Sequence, residues 1–246
     1  MILTSELLEL TIVLGASLLS VVAYVVSGAS RREDLNEIGD RGGFVLGSSV
    51  RSWLYWFLGP VERIAVRVKA PPTAFNALGV LLGVSAGFCF GTGNLNPGGW
   101  LLLLSGAVDI LDGRIARAQG LASPRGAFLD STLDRFAEVG AFVGLAVFYH
   151  NSEALTVIVA LALGGSLLVS YTRARGESIG VVCKVGIMQR AERLLLVGLG
   201  GILDPIIGQQ GSLDPGMPLA AALILVAGGA MGTAVYRTIW IARRIS

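Results

Sequence analysis

Seven apolar stretches, at roughly 6–27, 73–92, 97–118, 127–149, 154–172, 191–209 and 217–241, leave this chain little choice of solvent. Each approaches the ~20 residues that a helix needs to cross the hydrocarbon of a bilayer. Charged residues make up 15% of the chain, against about a quarter in an ordinary soluble domain. The 34 glycines suit helices whose backbones pack closely in lipid. These features predict an all-α integral membrane protein. Cys89 and Cys183 define neither a disulfide framework nor a zinc site, and one histidine, His150, excludes histidine-rich metal chemistry. The first stretch carries Glu6 and Glu9 where a signal peptide would be basic, so it reads as a retained span.

The basic residues set the orientation. All 19 lysines and arginines fall on one set of connections and at the C-terminus. The opposite connections, "GTGNLNPGG", "HNSE" and "DPIIGQQGSLDPGM", hold none. Loops rich in Lys and Arg face the cytoplasm. The N-terminus is therefore expected outside and the C-terminus inside, as in a prokaryotic inner membrane. Trp100 and Trp240 stand at span ends, where an aromatic belt would place them. The stretch 47–69, "GSSVRSWLYWFLGPVERIAVRVK", is too charged to span. Its aromatics precede a break at Gly59–Pro60, and Arg63 and Arg67 then alternate helically with Ile64, Val66 and Val68. It reads as an amphipathic segment in the cytoplasmic interface. Arg173, Arg175, Lys184, Arg190 and Arg193 are expected to fill the loop after the fifth span.

Against this apolar background stands "DILDGRIARAQGLASPRGAFLDSTLD". A carboxylate at membrane depth costs ~3 kcal/mol or more, and usually faces a wet functional cavity. Asp109 and Asp112 are three apart, and Asp130 and Asp134 four apart, so each pair shares a helix face. A short basic turn joins the third and fourth spans, which are expected to be antiparallel neighbours with all four carboxylates in one cytoplasmic pocket. Surface aspartates paired with Arg114, Arg117, Arg125 and Arg135 are the plainer alternative. Four carboxylates without histidine or cysteine suit Mg²⁺, Mn²⁺ or Ca²⁺. They suffice for two ions ~4 Å apart, an arrangement used in phosphoryl chemistry. Gly113 and Gly126 leave room for a ligand, and Arg117 stands one turn past Gly113, suited to a phosphate oxygen.

The pattern D-x-x-D-G-x-x-A-R, eight residues, then G-x-x-x-D-x-x-x-D resembles the signature of the CDP-alcohol phosphotransferases. Asp109, Asp112, Gly113, Ala116, Arg117, Gly126, Asp130 and Asp134 match every fixed position. The resemblance extends from about 70 to 242. It implies a six-span catalytic core, here with one extra N-terminal span and the interfacial helix. The expected division is 1–46 for that span and its linker, 47–70 for the amphipathic segment and 71–246 for the catalytic domain. It also implies two Mg²⁺ or Mn²⁺ ions held by Asp109, Asp112, Asp130 and Asp134, with Asp134 as general base. Asp112, Gly113, Arg117 and Gly126 would meet the CDP group. Family members often have Pro-Asn at the start of the first core span. Here "APPTAFNALG" offers Thr73 and Asn76 instead, as cytidine contacts or as plain helix caps. A homodimer is a further implication.

The acceptor is approached through "SYTRARGESIGVVCKVGIMQRAERL". Its arginines are similar to those of the phosphatidylinositol-phosphate synthase type. There such residues bind the acceptor's phosphate, which makes Arg175 and Arg190, then Arg173 and Arg193, the candidates here. The expected activity is transfer of a phosphatidyl group from CDP-diacylglycerol to a phosphorylated polyol such as inositol phosphate or glycerol phosphate, with release of CMP. Serine or free inositol as acceptor, or a soluble CDP-alcohol with a lipid acceptor, are alternatives within the class. A transporter with an acidic cation site is a remote one, because transport sites sit nearer the midplane.

Overall fold

The computed structural model describes residues 2–27, 47–183, 185–211 and 214–245. The expectations placed on the linker 28–46 and on Lys184 lie outside the described residues. Within them the chain is all-helical, with eight α-helices and no strand. In order these are α1 (Ile2–Val26), α2 (Gly47–Arg67), α3 (Pro72–Gly91), α4 (Leu95–Ala118), α5 (Pro124–Phe148), α6 (Glu153–Ser178), α7 (Arg190–Gly211) and α8 (Met217–Ala242). By length and composition α3, α6 and α8 are apolar enough to cross a membrane.

Local sequence explains most boundaries. Pro72 opens α3 at a position where a helix has no use for the missing N–H. Ser123 caps α5, its hydroxyl accepting from the Gly126 N–H at 3.2 Å, and Pro124 follows at the first helical position. Gly120, at φ +68°, and Gly180, at φ +81°, end α4 and α6 in the left-handed conformation. At α6 the Gly180 N–H donates to Glu177 and the Val181 N–H to Gly176, which satisfies two terminal carbonyls.

Two sequence expectations change here. The helix does not break at Gly59–Pro60: α2 runs through Pro60. Proline removes one helical hydrogen bond, and burial of Leu58 and Ala65 on either side of it holds the helix together. Arg173 and Arg175 lie in the last turns of α6, and Arg190 and Arg193 in the first turn of α7, so a far shorter loop separates them than expected.

The helices meet through small residues. Gly83 and Gly87 of α3 face Ala137, Gly140 and Gly144 of α5 so closely that a Cβ on Gly87 would strike the Gly140 carbonyl. Gly99 of α4 packs on Gly198 of α7, and Gly165 of α6 on Ala230 of α8. Lipid gives helices no hydrophobic reason to associate, so close van der Waals contact and interhelical hydrogen bonds must do so. The core runs through Phe90, Leu102, Leu145, Val197, Leu223 and Val226. The expected contact of α4 with α5 is slight. α3 lies against both, because its glycines admit α5 on one side and the Ser105 hydroxyl of α4 donates to the Gly79 carbonyl at 2.8 Å on the other.

At the end of α7 remote from the four aspartates, Asp204 is 1% exposed. Its carboxylate accepts from the Gly216 and Leu219 N–H groups at 2.9 and 3.0 Å, capping α8 from a neighbouring helix. The Tyr149 hydroxyl donates to the Gly216 carbonyl at 2.5 Å. Asp204→Ala leaves two donors unsatisfied and is expected to cost about 1–3 kcal/mol. A lower thermal midpoint in detergent, with turnover retained below it, checks this; an unchanged midpoint refutes it.

Candidate active site

Helical spacing places Asp109 and Asp112 on one face of α4, and Asp130 and Asp134 on one face of α5. Between them stands Asn76 of α3. Its amide donates to Asp112 Oδ2 at 2.5 Å and lies 3.5 Å from Asp130 Oδ1. Asp109, Asp112 and Asp130 each offer an oxygen, all within 4.8 Å of one another. Asp112 is 4% exposed and the other two half-buried. Three hard oxygen donors at this separation fit a divalent cation such as Mg²⁺ or Mn²⁺.

Asp134 is engaged differently. Its Oδ1 lies 2.8 Å from Arg190 Nη2, and its Oδ2 is 3.3 Å from Arg135 Nη1. Arg190 also pairs with Asp109 through Nη1, so one guanidinium joins the two aspartate pairs. Asn76, Ser105, Asp109, Asp112, Asp134 and Arg190 line one cavity. The site thus combines a three-carboxylate cluster, a fourth carboxylate beside it, and a half-buried cation that faces both.

The other expected residues spread around this centre. Gly113 is half-buried next to Asp112, and Arg117 is exposed at the end of α4. Gly126 sits in the first turn of α5, its N–H engaged by Ser123. Thr73 is exposed one turn before Asn76. Of the four candidate acceptor arginines, Arg190 reaches the carboxylates. Arg173 pairs with Glu177 at 2.8 Å on the surface of α6, and Arg175 lies 3.4 Å from the Ser178 hydroxyl. Arg193 is 1% exposed and pairs through Nε and Nη2 with Glu138 Oε1, both at 2.9 Å.

Three residues of this arrangement were not assigned from sequence. Asn76, for which the sequence leaves cytidine contact and helix cap both open, bridges two aspartates. Glu138 stands one turn beyond Asp134, as Arg193 stands one turn beyond Arg190. Two acids four residues apart and two bases three apart, each pair on one helix face, were the available signal. Arg237, counted among the terminal positive charges, is 3% exposed. It donates to the Val185 and Val169 carbonyls at 2.7 and 2.8 Å, while the Met188 N–H donates to the Thr233 hydroxyl at 3.2 Å. Together they fasten the segment that leads into Arg190.

Residues 71–240 match the family model described as CDP-alcohol phosphatidyltransferase. The chain is 35% identical over 187 residues to the archaetidylinositol phosphate synthase of Methanothermobacter thermautotrophicus, covering 75% of this chain and 90% of that one. It is 34% identical over 212 residues to the phosphatidylinositol phosphate synthase of Streptomyces avermitilis, covering 82% and 84%. Among solved structures, the phosphatidylinositol phosphate synthase of Mycobacterium tuberculosis with CDP-DAG bound superposes with a TM-score of 0.65 at 28% identity, over 74% of this chain and 92% of that one. A structure of the same enzyme with manganese and citrate gives a TM-score of 0.66 at 28% identity, over 74% and 87%.

Proposed function

Because the chain belongs to the CDP-alcohol phosphatidyltransferase family, we propose that it transfers the phosphatidyl group of CDP-diacylglycerol to a hydroxyl of an inositol phosphate and releases CMP. The observation that carries this reading is the convergence of Asp109, Asp112 and Asp130 beside Asp134 and Arg190, all inside the matched segment. Relatives named for inositol phosphate transfer support the choice of acceptor.

Asp109, Asp112 and Asp130 would hold Mg²⁺ or Mn²⁺, and Asp134 would serve a second ion. When bound, such ions neutralise the pyrophosphate and acidify the attacking hydroxyl. Asn76 orients two of the carboxylates through its amide. Gly113, Arg117, Gly126 and Thr73 face the CDP group. The acceptor's hydroxyl oxygen bonds to the phosphorus that carries diacylglycerol, the bond from that phosphorus to the bridging oxygen breaks, and CMP leaves. Asp134 takes the hydroxyl proton. Arg190 meets the acceptor's phosphate, with Arg173 and Arg175 at the rim. Arg193, held by Glu138, positions Arg190 one turn away instead of touching substrate.

Six membrane-crossing helices from α3 to α8 form the catalytic domain, residues 71–246. Residues 1–46 add a seventh span and linker, and 47–70 an interfacial helix. The N-terminus lies outside and the site faces the cytoplasm of a prokaryotic inner membrane, where a water-soluble acceptor meets a lipid donor. The enzyme works as a homodimer.

Purified protein with CDP-diacylglycerol and Mg²⁺ or Mn²⁺ should release CMP when inositol phosphate is added. No CMP with any of a panel of polyol phosphates, polyols and amino alcohols would refute the transferase reading. Arg190→Ala should lower kcat/KM for the phosphorylated acceptor by tenfold or more, since a charge-assisted hydrogen bond contributes about 1.5–3 kcal/mol. An unchanged value would remove Arg190 from the acceptor site.

A further inference from the structure

The residues before 71 lie outside the family match, yet α2 reaches the helix that carries two of the aspartates. Arg114 follows Gly113 and is two residues past Asp112. It therefore points about 200° around α4 from Asp112, away from the site. On that far side its Nε lies 2.6 Å from Glu62 Oε2, and its guanidinium stands 4.5 Å from the centre of the Tyr55 ring. Both partners are on α2. The ion pair is largely shielded, with side chains 18% and 16% exposed. Beside it Leu58 and Ala65 of α2 pack on Leu111 and Ile115 of α4, all four buried. The Gln119 amide donates to the Ala70 carbonyl at 3.1 Å and closes the contact below. Above, α2 is tied to α1: Trp53 Nε1 donates to the Ser20 hydroxyl at 3.1 Å, and the Trp56 and Tyr24 rings meet at 5.8 Å.

We propose that Glu62 is a positioning residue of the active site: with Tyr55 it grips Arg114 and fixes the rotation of α4 that aims Asp109 and Asp112 at Asp130. The lever is short. A carboxylate stands ~5–6 Å from its helix axis, so a turn of ~10° moves it about 1 Å. Misplacement on that scale costs about a hundredfold in rate. On the site side α4 is held by the Ser105 hydroxyl on the Gly79 carbonyl and by hydrogen bonds to the carboxylates themselves, and a bound cation would compete for the latter. The grip on the far side is independent of that competition. The N-terminal helices thereby gain a role in the chemistry beyond anchoring: they brace the catalytic helix from behind.

The inference rests on the metal-dependent reading of the aspartates. Its test follows Mn²⁺ binding to the full chain in detergent by electron paramagnetic resonance, alongside CMP release. Glu62→Ala should weaken Mn²⁺ binding about ten- to hundredfold, the usual effect of losing a group that orients metal ligands. Glu62→Gln, which keeps an acceptor for Arg114, should fall between it and the natural protein. The double variant Glu62→Ala/Arg114→Ala should be no weaker than Glu62→Ala alone, because the two residues act as one unit. Leu58→Ala supplies the comparison for stability alone, and should keep Mn²⁺ affinity within twofold while lowering the thermal midpoint. Mn²⁺ binding by Glu62→Ala within twofold of the natural protein, additive losses in the double variant, or an equal loss in Leu58→Ala would each overturn the proposal. A natural protein that binds Mn²⁺ but releases no CMP would refute the transferase reading, while the binding measurements still decide the role of Glu62.

Discussion

Asp134→Asn is expected to lower CMP release by about 10²–10⁴-fold, the range typical of a lost general base. The substitution keeps size and shape and removes the negative charge. Asparagine's oxygen can still accept from Arg190, and Arg190 retains its pairing with Asp109. The joint between α4, α5 and α7 should therefore persist, and the thermal midpoint should move little. Asp109, Asp112 and Asp130, whose oxygens lie within 4.8 Å of one another, remain to bind a cation and the donor. Single-turnover CMP release measured beside CDP-diacylglycerol binding separates the two effects. Full activity would exclude Asp134 as the base. Loss of folded protein in both assays would make its pairing with Arg190 structural. Asp130→Asn should behave differently, because it takes a carboxylate from the three-oxygen cluster and weakens Mn²⁺ binding there, whereas Asp134→Asn leaves that cluster whole.

Gly144→Leu is expected to abolish the folded state, although residue 144 lies ~15 Å along α5 from Asp134. A Cβ there would strike the backbone of Gly87, at its carbonyl carbon and oxygen and its Cα. Backbone cannot rotate aside as a side chain does, so α3 and α5 must part. Overpacking by side chains costs about 1–3 kcal/mol, and a backbone clash exceeds that range. Parting the helices also withdraws Asn76 of α3 from Asp130 of α5 and pulls Asp130 away from Asp112, so any protein that survives should bind Mn²⁺ poorly. Gly164→Ala and Gly228→Ala meet nothing within 4 Å and should be neutral. Size-exclusion profile and thermal midpoint in detergent read the outcome. A monodisperse, stable Gly144→Leu protein would show that the two helices need not touch there.

The aspartate cluster was legible in the sequence because helix periodicity converts a spacing of three or four residues into a shared face. The apolar runs were legible from their length, and those of α3, α6 and α8 are apolar enough in the described residues to cross a membrane. The partner of each charge was not. Arg173 and Arg193 occur in one basic stretch, yet Arg173 is at the surface with Glu177 while Arg193 is 1% exposed with Glu138. Arg237 counts in the sequence as one more positive charge near the end, and in the fold it is buried against carbonyls from two other segments. Arg114 sits inside the motif and faces away from the site.

The sequence by itself determined the solvent, the helical class and the aspartate pattern, because these depend on residue type and on spacing within one helix. The tertiary structure alone decided that α3 lies between α4 and α5, that Asn76 bridges two aspartates, that Arg190 joins Asp109 to Asp134, and that Glu62 holds Arg114 from behind. Those outcomes depend on how closely one backbone can approach another. Glycines permit that approach at Gly83, Gly87, Gly140 and Gly144, but which helix accepts it is settled only when all the helices pack together.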